Sequence, residues 1–348
     1  MKKIIVLLLA LAMVLPLFAQ GKDEKTTVSA SGKELVKLGV MTQPYFNGMV
    51  AMYIRDKGWA EEAGLDIDIQ VYSNGSTANE ALAAGIWDIG FQGAAYVFGV
   101  INNDAKLVGN YEETRGDALF VRADSDILKA KGYNPTYPEV FGSPATIKGK
   151  TVIYAPGTSL HQLVIEYLER IGVSIDDVSR VPMDYQTGEQ VFATGEGDIV
   201  AFPTPWSLTV GEKYGWVQIA ALSDFVMSTG DLIVSKKAYE TKREAIVSYM
   251  KLVYRAATEL EADHTLKAKM LVKWYEENGR EGNLEACKQE AELRILITPE
   301  AQKAMEYGKP ESAIADFYAS IGNIEPEQAE MFKKNVIDTL WKEAIGVK

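Results

Sequence analysis

The residues of this chain best suited to chemistry stand in short polar and aromatic phrases that follow strand-like runs. After LVKLGV comes QPYFNG, which offers Gln43, Tyr45 and Phe46 as a polar and aromatic wall. After DIDIQVY comes SNGST, where Gly75 lets the backbone approach closely while Ser76 and Thr77 stand at a helix start. After WDIGF comes QGAAY, with Gln92 and Gly93 again just ahead of a helix. Farther along, TVIYA runs into APGTSLHQ, so Thr158 and Ser159 open a helix and His161 lies one turn inside it. The phrases MDYQTG and PTPW add Asp184, Tyr185, Thr204 and Trp206. Loops at the C-terminal ends of parallel strands are where open α/β sheets bind ligands. A helix start presents unpaired N–H groups and roughly half a positive charge, which suits an anionic oxygen group. Two such tips facing across a cleft would hold a sulfonate, carboxylate or nitrate without any arginine.

Each residue also has a plainer role. Thr77 and Thr158 serve equally well as simple N-caps, and Tyr45 and Trp206 as core aromatics. His161 reads first as a packed histidine and only second as a donor to ligand. Glu112 and Glu113, after a strand that begins near Ala105, either line a cleft rim or are solvated. If one of them reaches the ligand, that ligand carries a positive group as well, as an aminosulfonate does.

Enzyme motifs fail on spacing. GSPATIKGKT resembles a phosphate-binding loop, but Pro144 stands where the first glycine belongs, and Gly149-Lys150-Thr151 precedes a strand instead of following one. Gly195-Glu196-Gly197 lies between a helix and a strand, with Val200 in place of a third glycine, the reverse of a dinucleotide fingerprint. His161 and His264 are far apart with no second His or Cys at ligand spacing, so neither a metal site nor a histidine-dependent triad is expected. A hydrolase or transferase using Asp184 or Glu112 as base would still need a nucleophile and an orienting partner. Binding without a covalent step, and without a cofactor, is the expected activity.

These loops are positioned by strand-like runs alternating with amphipathic helices from Glu34 onward, the signature of parallel sheets covered by helices on both faces. The segment TANEALAAGIWDIGF from Thr77 recurs in outline as TGEQVFATGEGDIVAF from Thr187, pairing Glu80 with Gln190, Gly85 with Gly195 and Asp88 with Asp198. In both copies Thr and the Glu or Gln three residues on read as a capping box, and the glycine as the helix stop. The spacing predicts two similarly built, doubly wound α/β lobes, one at 34–122 and one at 123–222. After DLIVS the pattern turns helical, with helices expected over Lys242–Glu261, Leu266–Asn278, Leu284–Leu293, Glu311–Ser320 and Pro326–Ile345. Residues 223–348 should return to the first lobe and wrap it, leaving two crossing strands as a hinge.

Lys2 and Lys3, an apolar run from Ile4 to Leu15, Pro16 and small residues near Ala19 read as a signal peptide over 1–19, followed by a flexible leader over 20–33. The run is shorter than the roughly 20 residues a spanning helix requires. Gln20 and Gly21 stand where a lipid-anchored protein has cysteine, so an exported, soluble periplasmic protein is expected. A mature chain of about 330 residues suits two lobes. The single cysteine, Cys287, cannot pair within the chain, so stability must come from packing. The formal net charge of −12, lower by two without Lys2 and Lys3, makes nucleic acid an unsuitable partner.

The stretch GVMTQPYFNGMVAMYIRDKGWAEEAGLDIDIQVYSNGSTANEALAAGIWDIGFQG resembles the first lobe of the nitrate, sulfonate and taurine group of ABC-importer binding proteins, a group that also includes thiamine-pyrimidine binders. IKGKTVIYAPGTSLHQLVIEYLERIGV with ATGEGDIVAFPTPW resembles the second lobe. The resemblance covers about residues 36–222. It implies a type II periplasmic-binding-protein fold, a small-molecule ligand in the cleft between lobes, closure around it, and delivery to importer membrane subunits by a monomer. Carried onto matching positions, it points to Gln43, Ser76, Gln92, Gly93, Thr158, Ser159 and Trp206 as contacts. Among the candidate ligands, a sulfonate such as taurine is expected slightly ahead of nitrate or a pyrimidine. Pyrimidine synthases of the same fold rely on a histidine and a cysteine-rich motif, and with Cys287 as its single cysteine this sequence lacks that motif.

Overall fold

The computed structural model describes residues 34–347; the expected signal peptide and leader lie outside the described residues. Among the described residues, eleven strands form two sheets. The first sheet holds β1 (Val36–Thr42), β2 (Leu65–Val71), β3 (Ile89–Gln92) and β4 (Lys106–Thr114). The second holds β5 (Ala118–Val121), β6 (Thr151–Tyr154), β7 (Ser179–Pro182), β8 (Ile199–Phe202) and β9 (Val217–Ala221). The chain then returns to the first sheet with β10 (Ser228–Val234) and β11 (Arg294–Leu296).

The strand orders are β11-β4-β10-β3-β1-β2 and β7-β6-β8-β5-β9. In each sheet a central strand pairs parallel with its two neighbours, β1 with β2 and β3, β6 with β7 and β8. One strand in each enters antiparallel from the other half of the chain, β10 against β3 and β4, β5 against β8 and β9. Such strands are covered on both faces, and β3, β5, β8 and β10 are buried along their whole length. One face of the first sheet packs against Phe46, Tyr249 and Trp274, the other against Tyr96, Tyr318 and Phe332. The second sheet is sandwiched between Leu163 and Tyr167 on one side and Phe192 and Trp216 on the other.

The internal repeat is a structural one. The helix Gly75–Ala83, β3 and the helix Tyr96–Asn103 match the helix Tyr185–Ala193, β8 and the helix Trp206–Tyr214 at the offset that relates Thr77 to Thr187. Asp88 clasps Gly39, giving its amide to the carbonyl at 2.9 Å and taking the amide on Oδ2 at 2.8 Å. Asp198 does the same to Thr151, at 2.8 Å both ways.

The caps differ from expectation. Asn74 and Asp184 are the N-caps, Asn74 accepting from Thr77 N at 3.0 Å and Asp184 from the Gln186 and Thr187 amides at 3.0 Å. Each helix thus starts a turn before its threonine, because Asn and Asp cap at least as well as Thr and stand earlier in the chain. The C-terminal helices run Arg243–Ala262, His264–Glu277, Leu284–Leu293 and Lys309–Ser320. The helix expected over Pro326–Ile345 is two, Pro326–Lys334 and Thr339–Ala344. Between them the backbone lies beside β4, with Leu107 N on Asn335 O at 3.0 Å and Ile337 N on Leu107 O at 2.7 Å. Open edge groups of β4 take precedence over the helical pattern there. The strand β11, unforeseen after DLIVS, extends the same edge.

The chain crosses between sheets twice, from Thr114 to Ala118 and from Ala221 to Ser228. Leu222 N donates to Asp117 O at 2.9 Å, tying the two crossings together. A Cβ at Gly116 would lie 2.2 Å from Thr204 Cγ2, so only glycine lets this crossing pass the second lobe so closely.

Candidate functional site

A cavity of about 70 Å³ lies between the lobes. Lobe 1 contributes Gln43, Tyr45, Asn47, Gly75, Gln92, Gly93, Tyr111 and Glu112; lobe 2 contributes Thr158, Ser159, Tyr185 and Thr204. Asp117 on the first crossing and Arg294 at the start of β11 complete it. Gly75 and Ser159 are each the first residue of a helix, so their amides belong to the turn that has no intrahelical acceptor. Thr158 caps its helix by accepting from Leu160 N at 3.2 Å.

Arg294 is buried and committed. Nε donates to Glu112 Oε2 at 3.0 Å, Nη2 to Glu112 Oε1, and Nη1 crosses to lobe 2 and donates to Thr204 Oγ1 at 3.0 Å. Tyr111 adds a third donor to Glu112 at 2.9 Å. Burial works against the guanidinium charge, but the Glu112 carboxylate outweighs it and holds Arg294 above its ordinary range. Lys267, wholly buried, fixes the backbone there by donating to Ala291 O at 2.8 Å and Arg294 O at 2.6 Å, with Glu261 as its counter-charge. Two more buried carboxyls stand nearby. Burial raises Asp117, opposed by the Ser159 hydroxyl and by Arg294. Burial raises Glu290 as well, with Arg294 again opposing.

The lobes meet around this cavity. Tyr318 OH donates to Thr158 O at 3.2 Å. The Tyr45 ring stands edge-on to Trp206 at 5.6 Å and Tyr185 at 6.0 Å, and Arg280 lies over Tyr45 at 4.8 Å and Trp206 at 4.3 Å. These contacts join the two lobes on either side of the cavity.

Of the residues singled out from sequence, Gln43, Tyr45, Gly75, Gln92, Gly93, Glu112, Thr158, Ser159, Tyr185 and Thr204 line this cavity. Ser76 and Asp184 line a neighbouring groove that shares Tyr45, Thr158 and Tyr185 with it. Phe46 does not face the cavity; it is fully buried in the lobe 1 core, with Lys267 and Arg294 over its ring. Thr77 is spent on the Asn74 cap. Trp206 lines a separate groove with Arg280 and gives its indole N–H to Glu189 at 2.9 Å. His161 is buried away from the cavity, stacked on Tyr154 at 5.1 Å, its Nδ1 accepting from Gly157 N at 3.4 Å. Burial, aided by the charge of Arg180, pushes it down to about 4. As for the two acids weighed as a base, Asp184 is engaged in capping and Glu112 in the pair with Arg294.

Asn47, Tyr111, Asp117 and Arg294 were not singled out. Asn47 lies within the QPYFNG phrase itself, beside the residues that mark it as a loop. Asp117 lies on a crossing and Arg294 at the end of a helix, and neither position carries a local signal that it meets a cleft. The expectation of an anion site without arginine is corrected in part: an arginine is present, though its charge is matched by Glu112.

Two lobes with this strand order, joined by two crossings over a polar cleft, define a protein with the periplasmic-binding-protein fold. The NMT1/THI5-like family model matches residues 43–134. A protein of Brachyspira hyodysenteriae named as an ABC transporter periplasmic binding protein is 32% identical over 348 residues, spanning 99% of this chain and 100% of its own. The chain belongs to the periplasmic binding proteins of ABC transporters. Among solved structures, the alkanesulfonate-binding protein SsuA of Xanthomonas axonopodis bound to MOPS superposes with a TM-score of 0.69 at 18% identity, covering 87% of this chain and 99% of that one. The nitrate-binding protein NrtA of Synechocystis gives 0.71 at 12% identity, covering 89% and 88%.

Proposed function

We propose that this protein, exported to the periplasm, captures a small anionic or zwitterionic solute in the interlobe cavity and hands it to the membrane subunits of an ABC importer, without chemical change. A taurine-like sulfonate stands ahead of nitrate and of a thiamine-precursor pyrimidine. The carrying observation is a single cavity with Gly75 and Gln92 from one lobe, Thr158 and Ser159 from the other, and contacts between lobes closed around it. Solute contacts drawn from both lobes are complete only when closed, so binding shifts the population toward the closed form. SsuA and NrtA, named for a sulfonate and for nitrate, support the anionic end of the range.

Thermal-shift measurement on the full mature chain, against sulfonates, nitrate, small amino acids and aminopyrimidines, tests this. A rise in melting temperature that saturates with one class is expected. A flat response across the panel would refute solute capture and favour a scaffold role.

A further inference from the structure

We infer that the cavity selects a solute bearing a protonated amine, held by three acceptor oxygens: Asn47 Oδ1, Gln92 Oε1 and Asp117 Oδ2. This rests on the solute-capture reading above and narrows it to a solute class. All three side chains line the same cavity, all are at least nine-tenths buried, and none of the three oxygens meets a donor from the described residues.

The amide orientations follow from their neighbours. Asn47 Nδ2 donates to Gln43 Oε1 at 3.3 Å and to Phe91 O at 3.2 Å. Gln92 Nε2 donates to Gly75 O at 3.2 Å and to Asn79 Oδ1 at 3.0 Å. Asn79 is itself pinned by its Nδ2 on Ala95 O at 3.0 Å. Turning either Asn47 or Gln92 over would set oxygen against two oxygens, so both must keep an acceptor free.

Charge points the same way. The Arg294 guanidinium is matched by Glu112 and spends its remaining arm on Thr204. Asp117 therefore adds a carboxylate that forms no ion pair of its own among the described residues. Nitrate, or a sulfonate with neither amine nor hydroxyl, brings only acceptors and leaves the three oxygens buried and unpaired, and a hydroxyl brings a single neutral donor. An ammonium brings three donors and a positive charge. The acidic end of a zwitterion would then meet the first-turn amides at Gly75 and Ser159.

The test uses matched pairs on the full mature chain, by calorimetry and thermal shift: taurine against isethionate, and β-alanine against 3-hydroxypropionate. Each pair differs only in an ammonium replaced by a hydroxyl. The amine member should bind at least tenfold tighter, and Asp117→Asn should erase that preference. Equal or tighter binding of the amine-free member in wild type would overturn the inference while leaving solute capture standing. A preference for the amine that survives intact in Asp117→Asn would overturn the assigned residue set. Absence of binding by all four compounds would overturn the inference; if the wider panel is flat too, solute capture fails with it. The wild-type comparison stands even where the variant fails to fold.

Discussion

Arg294 shows why single residues matter at this site. Its guanidinium, Glu112 and Thr204 make one buried unit spanning both lobes. Removing one partner leaves a buried charge uncompensated, a loss of about 3–5 kcal/mol. Arg294→Ala should therefore lower stability to urea by about that amount, and Arg294→Lys should recover little, since an ammonium cannot span both carboxylate oxygens. Gly93 is the contrasting case. A Cβ there meets nothing within 4 Å although the residue lines the cavity. Gly93→Ala should fold with stability unchanged to within about 0.5 kcal/mol yet weaken solute binding about tenfold, by filling space the solute needs. His161 supplies a pH test. The unfolded chain takes up its proton near pH 6.5, while the folded chain resists until about 4. Its contribution is therefore complete above pH 6.5, is lost progressively as pH falls toward 4, and amounts to about 3 kcal/mol. The raised carboxyls, Asp117 and Glu290 among them, act with the opposite sign. The difference between wild type and His161→Gln, melted across pH 4–7, isolates the histidine; parallel curves would refute this account.

Among the elements, the two matched helices show how caps decide where a helix begins. Asn74 and Asp184 each accept amides of the first turn, and an Ala in either place should cost about 1 kcal/mol of stability. Asn74→Ala has a second effect, since its helix begins at Gly75 on the cavity wall. Fraying that turn should raise the solute dissociation constant, and Asp184→Ala, at a helix whose first residue Tyr185 lines the cavity and packs on Tyr45 and Trp206, should raise it as well. Gly75 itself admits no side chain. A Cβ there would come within 2.4 Å of Ala95 Cβ, so the helix tip can sit against the β3 loop only with glycine present.

For the whole molecule, closure rests on a few contacts between lobes that leave each core intact. Arg280 over Tyr45 and Trp206, and Tyr318 on Thr158 O, join lobe 2 to elements packed on lobe 1. Combining Arg280→Ala with Tyr318→Phe should leave each lobe folded and bias the protein toward the open form. Small-angle scattering should show a larger radius of gyration for the variant without solute, and solute affinity should fall roughly tenfold. Unchanged scattering would mean that other contacts hold the lobes.

The alternation of strands and helices, the twin units related by one offset, and the loops around Gln43, Gln92 and Thr158 were legible in the sequence, because periodicity and caps depend on residues a few positions apart. Even there the first turn was misplaced at Thr77 and Thr187, where an earlier Asn and Asp competed successfully. Phe46 and Trp206 sit in phrases that look like binding loops, and local pattern does not reveal which side of a loop faces a core. Only the tertiary structure brought Arg294 to Glu112, placed Asp117 on the crossing beside Ser159, and turned Asn47 and Gln92 so that their oxygens stay free. Those arrangements join positions far apart in the chain, and their energies arise from burial and matched charge, which no stretch of sequence carries by itself.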